Sequence, residues 1–267
     1  MGAPYYAARP ARHFLEEVGA PPGRLRIAYS ARPLLGDHVH PDCVKGLEAT
    51  VELCRELGHE MVEAVPQVDR KAFVRAFLIM ACGATRAGIE EAEVLLGRRA
   101  TAREFEPATW AVGLLGTQIS AARYARAVNL LQVSARQVGP FFEEYQVLLT
   151  PTLSSPPLVT GALQPRGLKA LGMKLLGGLN AGGLLQALGG VEAEADTVFE
   201  FIPYTPLFNA TGQPAMSVPL IWNGEGLPVG MHFVGRYGEE ATLFRLAAQL
   251  EEARPWFGRT PPICSQP

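Results

Sequence analysis

Residues 25–65 run strand-like, helix-like and strand-like within about forty positions, and few backbones accommodate that order. Leu25-Arg26-Ile27-Ala28-Tyr29-Ser30 alternates apolar and polar side chains at its start, the period of a strand. Pro41 suits the first position of a helix, Val44, Leu47, Val51 and Cys54 recur at helical spacing, and Gly58 offers a C-terminal stop. Residues 59–65 read as a second strand. Two strands joined by a crossover helix pair in parallel, so the sequence predicts a βαβ unit and an α/β fold.

The remaining pattern adds helices and a mixed sheet. Residues 70 to about 88 and 120 to about 145 place apolar side chains three and four apart, as in Val128, Leu131, Ala135, Val138 and Phe142, and predict long amphipathic helices flanking the sheet. Residues 146–150 form a short apolar strand ended by Pro151, and the Pro-rich residues 152–164 are loop. Residues 167–190 are rich in Gly and Leu and leave helix, broken cover and lid all open. Residues 215–222 and 228–235 are β-prone runs joined by Asn223-Gly224-Glu225-Gly226-Leu227, a hairpin signal. A terminal helix over residues 239 to about 253 carries Leu243, Leu246, Ala247 and Leu250 on one face. The expectation is a single domain over residues 1–267 with a mixed sheet flanked by helices and no internal repeat.

Composition narrows function. A net charge of -2 and a pI near 6.2, with no basic run, give no field for nucleic acid or an acidic membrane surface. Cys43, Cys54, Cys82 and Cys264 contain no C-x-x-C pair and read as reduced thiols. The start carries no signal-like segment, and no later stretch reads as the roughly 20 apolar residues of a membrane helix, so the expectation is a soluble cytoplasmic protein. The preference for Arg over Lys, with abundant Ala, Gly and Pro, suggests a bacterial source.

Self-contained catalytic motifs are missing from these residues: there is no G-x-S-x-G, S-x-x-K, H-E-x-x-H or G-x-x-x-x-G-K-[ST]. His38, His40 and Cys43 lie close enough in sequence to hold zinc, but Asp42 at a helix start and an inward Cys43 explain the same residues. The pairs Gly177-Gly178, Gly182-Gly183 and Gly189-Gly190 lack the lysine, hydroxyl and preceding strand of a phosphate loop. No cofactor or metal is implied.

One block is recognisable. Phe208-Asn209-Ala210-Thr211-Gly212-Gln213-Pro214-Ala215-Met216-Ser217-Val218-Pro219 is followed by Gly226-Leu227-Pro228-Val229-Gly230 and Phe233-Val234-Gly235. Pro4-Tyr5-Tyr6, Arg24 to Ala28, Leu57-Gly58-His59-Glu60, Leu148-Leu149-Thr150-Pro151-Thr152 and Gly238 to Leu243 agree in order. This resembles the C-terminal portion of the amidase-signature hydrolases, most like the branch containing 6-aminohexanoate cyclic-dimer hydrolases, where Trp110 and Ala253-Arg254-Pro255-Trp256 also fit. The resemblance implies amide or ester hydrolysis by a Ser–cis-Ser–Lys triad that forms an acyl-enzyme. In family order the triad precedes the Pro4-Tyr5-Tyr6 segment, so no residue here takes a catalytic role, and Ser217 is the structural serine at the hairpin entry.

Cys82, in a helix of small residues, and Asn209, before the hairpin, are the candidates for lining a substrate pocket; a core thiol and a turn former are the alternatives. Trp110 and Phe208 read as core. The expected partners are a small-molecule amide or ester, and a second copy or the N-terminal half, since the sheet left uncovered would invite association. Two other readings stay open: a self-sufficient esterase using Ser154 or Ser155 with His232 and Asp196, and a non-catalytic binding or assembly module.

Overall fold

In the computed structural model, residues 9–164, 182–187 and 199–259 are described. The chain divides into two units, one of Met1–Gln67, Val138–Pro157 and Phe201–Pro267, the other of Val68–Gln137 and Leu158–Glu200.

The first unit is built on five strands: β1 (Arg26–Tyr29), β2 (Glu60–Glu63), β3 (Val147–Pro151), β4 (Ala215–Trp222) and β5 (Pro228–Gly235). Their order is β2-β1-β3-β5-β4. β1 pairs in parallel with β2 and β3, and β5 pairs antiparallel with β3 and β4, so the sheet is mixed as the sequence predicts. Burial follows position in the sheet. Every residue of β3 is buried, whereas the edge strand β2 is nowhere buried, because only an inner strand has neighbours on both sides and layers on both faces.

Helix α2 (Pro41–Glu56) is the predicted crossover between β1 and β2; His40 Nδ1 accepts the Asp42 N–H at its start. With α8 (Glu240–Ala253) it supplies the core on one sheet face: Leu47, Val51 and Cys54 from α2 and Leu243, Leu246 and Leu250 from α8 join Ile27, Leu149, Met231 and Phe233. Full burial of each such Leu, Met or Phe contributes about 1.5–3 kcal/mol. The opposite face meets the end of α5 (Ala121–Glu144) and α7 (Thr205–Thr211), where the Phe142 and Phe208 rings lie edge to face at 6.2 Å. Arg236 donates to the Phe142 carbonyl at 2.5 Å and the Glu143 carbonyl at 3.0 Å, satisfying the open C-terminal carbonyls of α5.

A short α1 (Phe14–Glu17) is fixed to α8 by an ion triad. The Glu17 carboxylate accepts two 2.7 Å hydrogen bonds from Arg12 and one of 2.5 Å from Arg245, which hold its pKa at about 2. Phe14 stacks on Phe244 at 5.2 Å beside it.

The hairpin loop turns differently from the usual two-residue Asn-Gly hairpin. Asn223 Oδ1 accepts the Glu225 and Leu227 N–H groups, the Gly226 N–H reaches the Asn223 carbonyl, and the left-handed residue is Gly226 at φ 76°, not Gly224. Five loop residues need one αL position near the exit, where a side chain would be strained.

The second unit contains α3 (Arg70–Leu96), α4 (Pro107–Gly116), residues 121–137 of α5, and α6 (Gly182–Ala187). Asp69 caps α3 by accepting the Ala72 N–H. The helix runs past the expected end at Gly88, because Glu90, Glu91, Ala92, Glu93, Leu95 and Leu96 are good helix formers and the chain turns only at Gly97, φ 64°. Contrary to the expectation that no stretch is long and apolar enough, α3 holds an 18-residue window of mean hydropathy 1.4, sufficient by length and composition to cross a membrane. Within the unit those apolar positions are partly used for packing, as Phe73, Ala76, Ile79, Cys82 and Ile89 are buried at helical spacing. A Cβ on Gly116 would overlap the Cys82 carbonyl and one on Gly113 the Ile89 side chain, so glycine is what lets α3 and α4 touch. Trp110 is core, stacked on Phe105 at 5.8 Å in a cluster with Ile89, Ala100 and Leu114.

Candidate functional site

Strand register gathers a polar row on one face of the sheet. Thr150 of β3 lies opposite His232 of β5, and His232 lies opposite Ser217 of β4. Residues directly opposite share a face and the strand period is two, so Thr152 and Gly230 join them. The Thr152 and Ser217 hydroxyls hydrogen-bond at 2.6 Å, and a Cβ on Gly230 would stand 2.7 Å from Ser217 Oγ and 2.9 Å from Thr152 Oγ1. Glycine at 230 therefore keeps open the space in which the two hydroxyls meet.

Below them the row is dry. His232 is buried, and burial pushes its pKa down to about 4. Thr150 Oγ1 donates to the Pro151 carbonyl at 3.0 Å, so toward His232 Nδ1, 3.3 Å away, it accepts; the neutral imidazole then carries its proton on Nδ1. Phe208 packs 5.9 Å from the imidazole. Ser217 has a hydroxyl as its partner, not a base, so the geometry supplies no activation for a nucleophile there. Thr152 and Ser217 can orient a polar group, not attack one.

The two pocket candidates lie in different settings. Cys82 is 2 % exposed at the α3–α4 crossing. Asn209 is exposed on α7, not in the turn the sequence suggests before the hairpin: Pro206 in the first turn and Gly212 at φ 86° just past the end bracket a short helix. Phe208 is buried as expected.

Of the serine reading on Ser154, Ser155 and His232, two members are engaged elsewhere. The Ser154 hydroxyl and N–H both donate to the Phe201 carbonyl, its carbonyl accepts the His40 N–H at 2.7 Å, and His232 is occupied by Thr150. Asp196, Cys264, Pro4-Tyr5-Tyr6 and the pairs Gly177-Gly178 and Gly189-Gly190 lie outside the described residues, while Gly182-Gly183 open α6. At the histidine-rich stretch, Cys43 is buried and its thiol pushed up to about 11, mainly by desolvation, with Asp42 adding to the shift. Among the described residues no three His, Cys, Asp or Glu side chains come together as a metal site.

The sequence profile described as Amidase matches residues 2–244. The chain belongs to the amidase family. It is 28% identical over 265 residues to the 6-aminohexanoate-cyclic-dimer hydrolase of Pseudomonas sp. (strain NK87), covering 98% of this chain and 50% of that protein. It is 31% identical over 258 residues to the putative amidase AmiB2 of Mycobacterium tuberculosis (strain ATCC 25618 / H37Rv), covering 95% and 49%. The solved 6-aminohexanoate cyclic dimer hydrolase complexed with substrate superposes with a TM-score of 0.81 at 25% identity over 97% of this chain and 51% of that one. A bacterial aryl acylamidase of the amidase signature family, at 18% identity and a TM-score of 0.65, shares the fold over 93% and 47%. This amidase-family chain spans about half the length of the curated relatives it matches.

The sequence pointed to Ser217, and to His232 for a different site, but did not place them in one row. Thr150, Thr152, Gly230 and His232 alternate at period two in adjoining strands, a signal readable only once β3 is known to pair with β5.

Proposed function

We propose that these 267 residues act as one incomplete amidase-signature domain, the C-terminal half of a hydrolase of small-molecule amides, with esters as a second substrate class. The catalytic serines and lysine would come from polypeptide outside them, in the same chain or a separate one, and that N-terminal half is the partner proposed for the uncovered surface. Substrates of the 6-aminohexanoate cyclic-dimer type fit this reading best, and the cytoplasm is the proposed site of action.

The observation that carries it is coverage. A relative named for that hydrolysis matches 98% of this chain with only half of its own length, and the sequence contains no Gly-Gly-Ser-Ser-Gly-Gly run. In this role Asn209, exposed on the short helix α7, contacts substrate, and Cys82, held by the glycine crossing, forms part of the wall. The Thr152 and Ser217 hydroxyls position a polar group of the substrate or of the catalytic half.

The test is complementation. The N-terminal half of the Pseudomonas relative is fused before Met1 and hydrolysis of the 6-aminohexanoate cyclic dimer and of a p-nitrophenyl ester is followed, with these 267 residues alone in parallel. Turnover only in the fusion, with KM raised by Asn209→Ala and Cys82→Phe, is the expected result. Equal turnover by the 267 residues alone would sink the proposal, because loss of a triad acting as a unit costs on the order of a millionfold.

A further inference from the structure

We propose that the cleft between α3 and α5 in the second unit binds a small organic anion with an aliphatic body, of which a medium-chain monocarboxylate is the simplest form. The cleft has a volume of about 430 Å³, within the range of small-molecule sites. Both helices present the same spacing to it: positions 72, 75, 76 and 79 from α3 and 123, 126, 127 and 130 from α5. That spacing puts all four residues on one helical face. Ile79 and Leu130 supply an apolar surface, and the alanines leave the volume open.

Charge decides the class of ligand. Arg75, Arg123 and Arg126 line the cleft and, among the described residues, no acidic residue does. Among the described residues none of the three guanidinium groups has a hydrogen bond or ion pair, whereas those of Arg86 and Arg98 in the same unit are paired with Glu90 and Glu104. Three unneutralised guanidiniums beside an apolar surface repel one another, and an anion that enters relieves that repulsion while its chain covers Ile79 and Leu130. A bare phosphate would leave the apolar surface uncovered. A neutral chain would leave the cations unpaired. The proposal is independent of the catalytic reading, since none of these residues belongs to the polar row, to Cys82 or to Asn209.

Calorimetric titration of these 267 residues with octanoate, octanamide and inorganic phosphate tests it. Octanoate is expected to bind at least about tenfold more tightly than either of the others, and Arg75→Gln or Arg126→Gln to weaken it by about tenfold each, the loss of one charge-assisted hydrogen bond. Arg103→Gln, away from the cleft, should leave binding unchanged, and circular dichroism melts verify that each variant folds. Octanamide binding as well as octanoate, an affinity indifferent to Arg75 and Arg126, or no saturation by octanoate up to roughly 10 mM would overturn the proposal. So would an acidic peptide that binds the same arginines more than about tenfold tighter, which would assign the cleft to a protein partner.

Discussion

Lowering the pH from 7 to 5 should destabilise the first unit by about 2 kcal/mol through His232 alone. The imidazole is 4 % exposed, and desolvation holds its pKa at about 4 against 6.5 when solvated. The folded state resists a proton that the unfolded state accepts. Stability is therefore fully present above the unfolded pKa, falls as pH drops from 6.5 toward 4, and is flat below both values. A shift of about 2.5 units corresponds to roughly 3 kcal/mol over the whole window, of which about 2 kcal/mol is lost by pH 5. His59 acts in the same direction: burial lowers its pKa, and its Nδ1 accepts the Leu25 N–H, a bond that protonation at Nδ1 would abolish. Glu17, held at about 2, contributes stability that is lost only as pH falls below 4.5, so the interval from 7 to 5 isolates the histidines. The assay is urea unfolding at pH 7, 6 and 5 for the wild type and His232→Asn, whose amide can still reach Thr150. The wild-type slope should exceed that of the variant by about 1 kcal/mol per pH unit. Parallel slopes, or a His232 imidazole resonance titrating near 6.5, would refute the reasoning.

Three further outcomes follow from other contacts. Gly230→Ala should cost about 1–3 kcal/mol by thrusting a methyl group against the two hydroxyls, and adding Ser217→Ala should return part of it in a double-mutant cycle of denaturation midpoints. Tyr204→Phe, which strands the Ala31 carbonyl from a 2.7 Å hydrogen bond in a buried site, should lower unfolding free energy by about 1–2 kcal/mol. Cys43, Cys54 and Cys82 are buried, and desolvation pushes the Cys54 thiol up to about 12, so Ellman's reagent at pH 8 should label these three only after unfolding; rapid labelling of any would contradict the packing.

Much of the fold was legible because its strongest signals are local. The runs 215–222 and 228–235 are the observed β4 and β5, and the βαβ unit formed in parallel as its spacing required. The parts that escaped depend on partners distant in sequence. α4 is uniformly apolar, with no contrast between faces for periodicity to detect, and its helical state rests on glycines fitting against α3. α1 has four residues, too few for an intrinsic signal, and owes its place to Arg245 on the last helix. The Asn209 segment looked like a turn because Asn, Thr and Gly favour turns, yet Pro206 and Gly212 work equally well as the two ends of a short helix. Of the candidate site, motif resemblance reached Ser217 and Asn209. The Thr150–His232–Ser217 row needed cross-strand register, and the arginine cleft needed the pairing of two helices some fifty residues apart.

The strand order also dictates how the chain must emerge from a ribosome. β3, apolar at Val147, Leu148 and Leu149, ends at Pro151, but its antiparallel neighbour β5 begins only at Pro228. At about 5–20 residues per second, translation leaves one hydrogen-bonding edge of that strand without its native neighbour for roughly 4–15 s. A nascent chain stalled in the interval exposes a sticky inner strand. Synonymous codons that slow synthesis between residues 152 and 227 should therefore raise chaperone dependence and inclusion-body formation, while the same slowing beyond residue 235 should not.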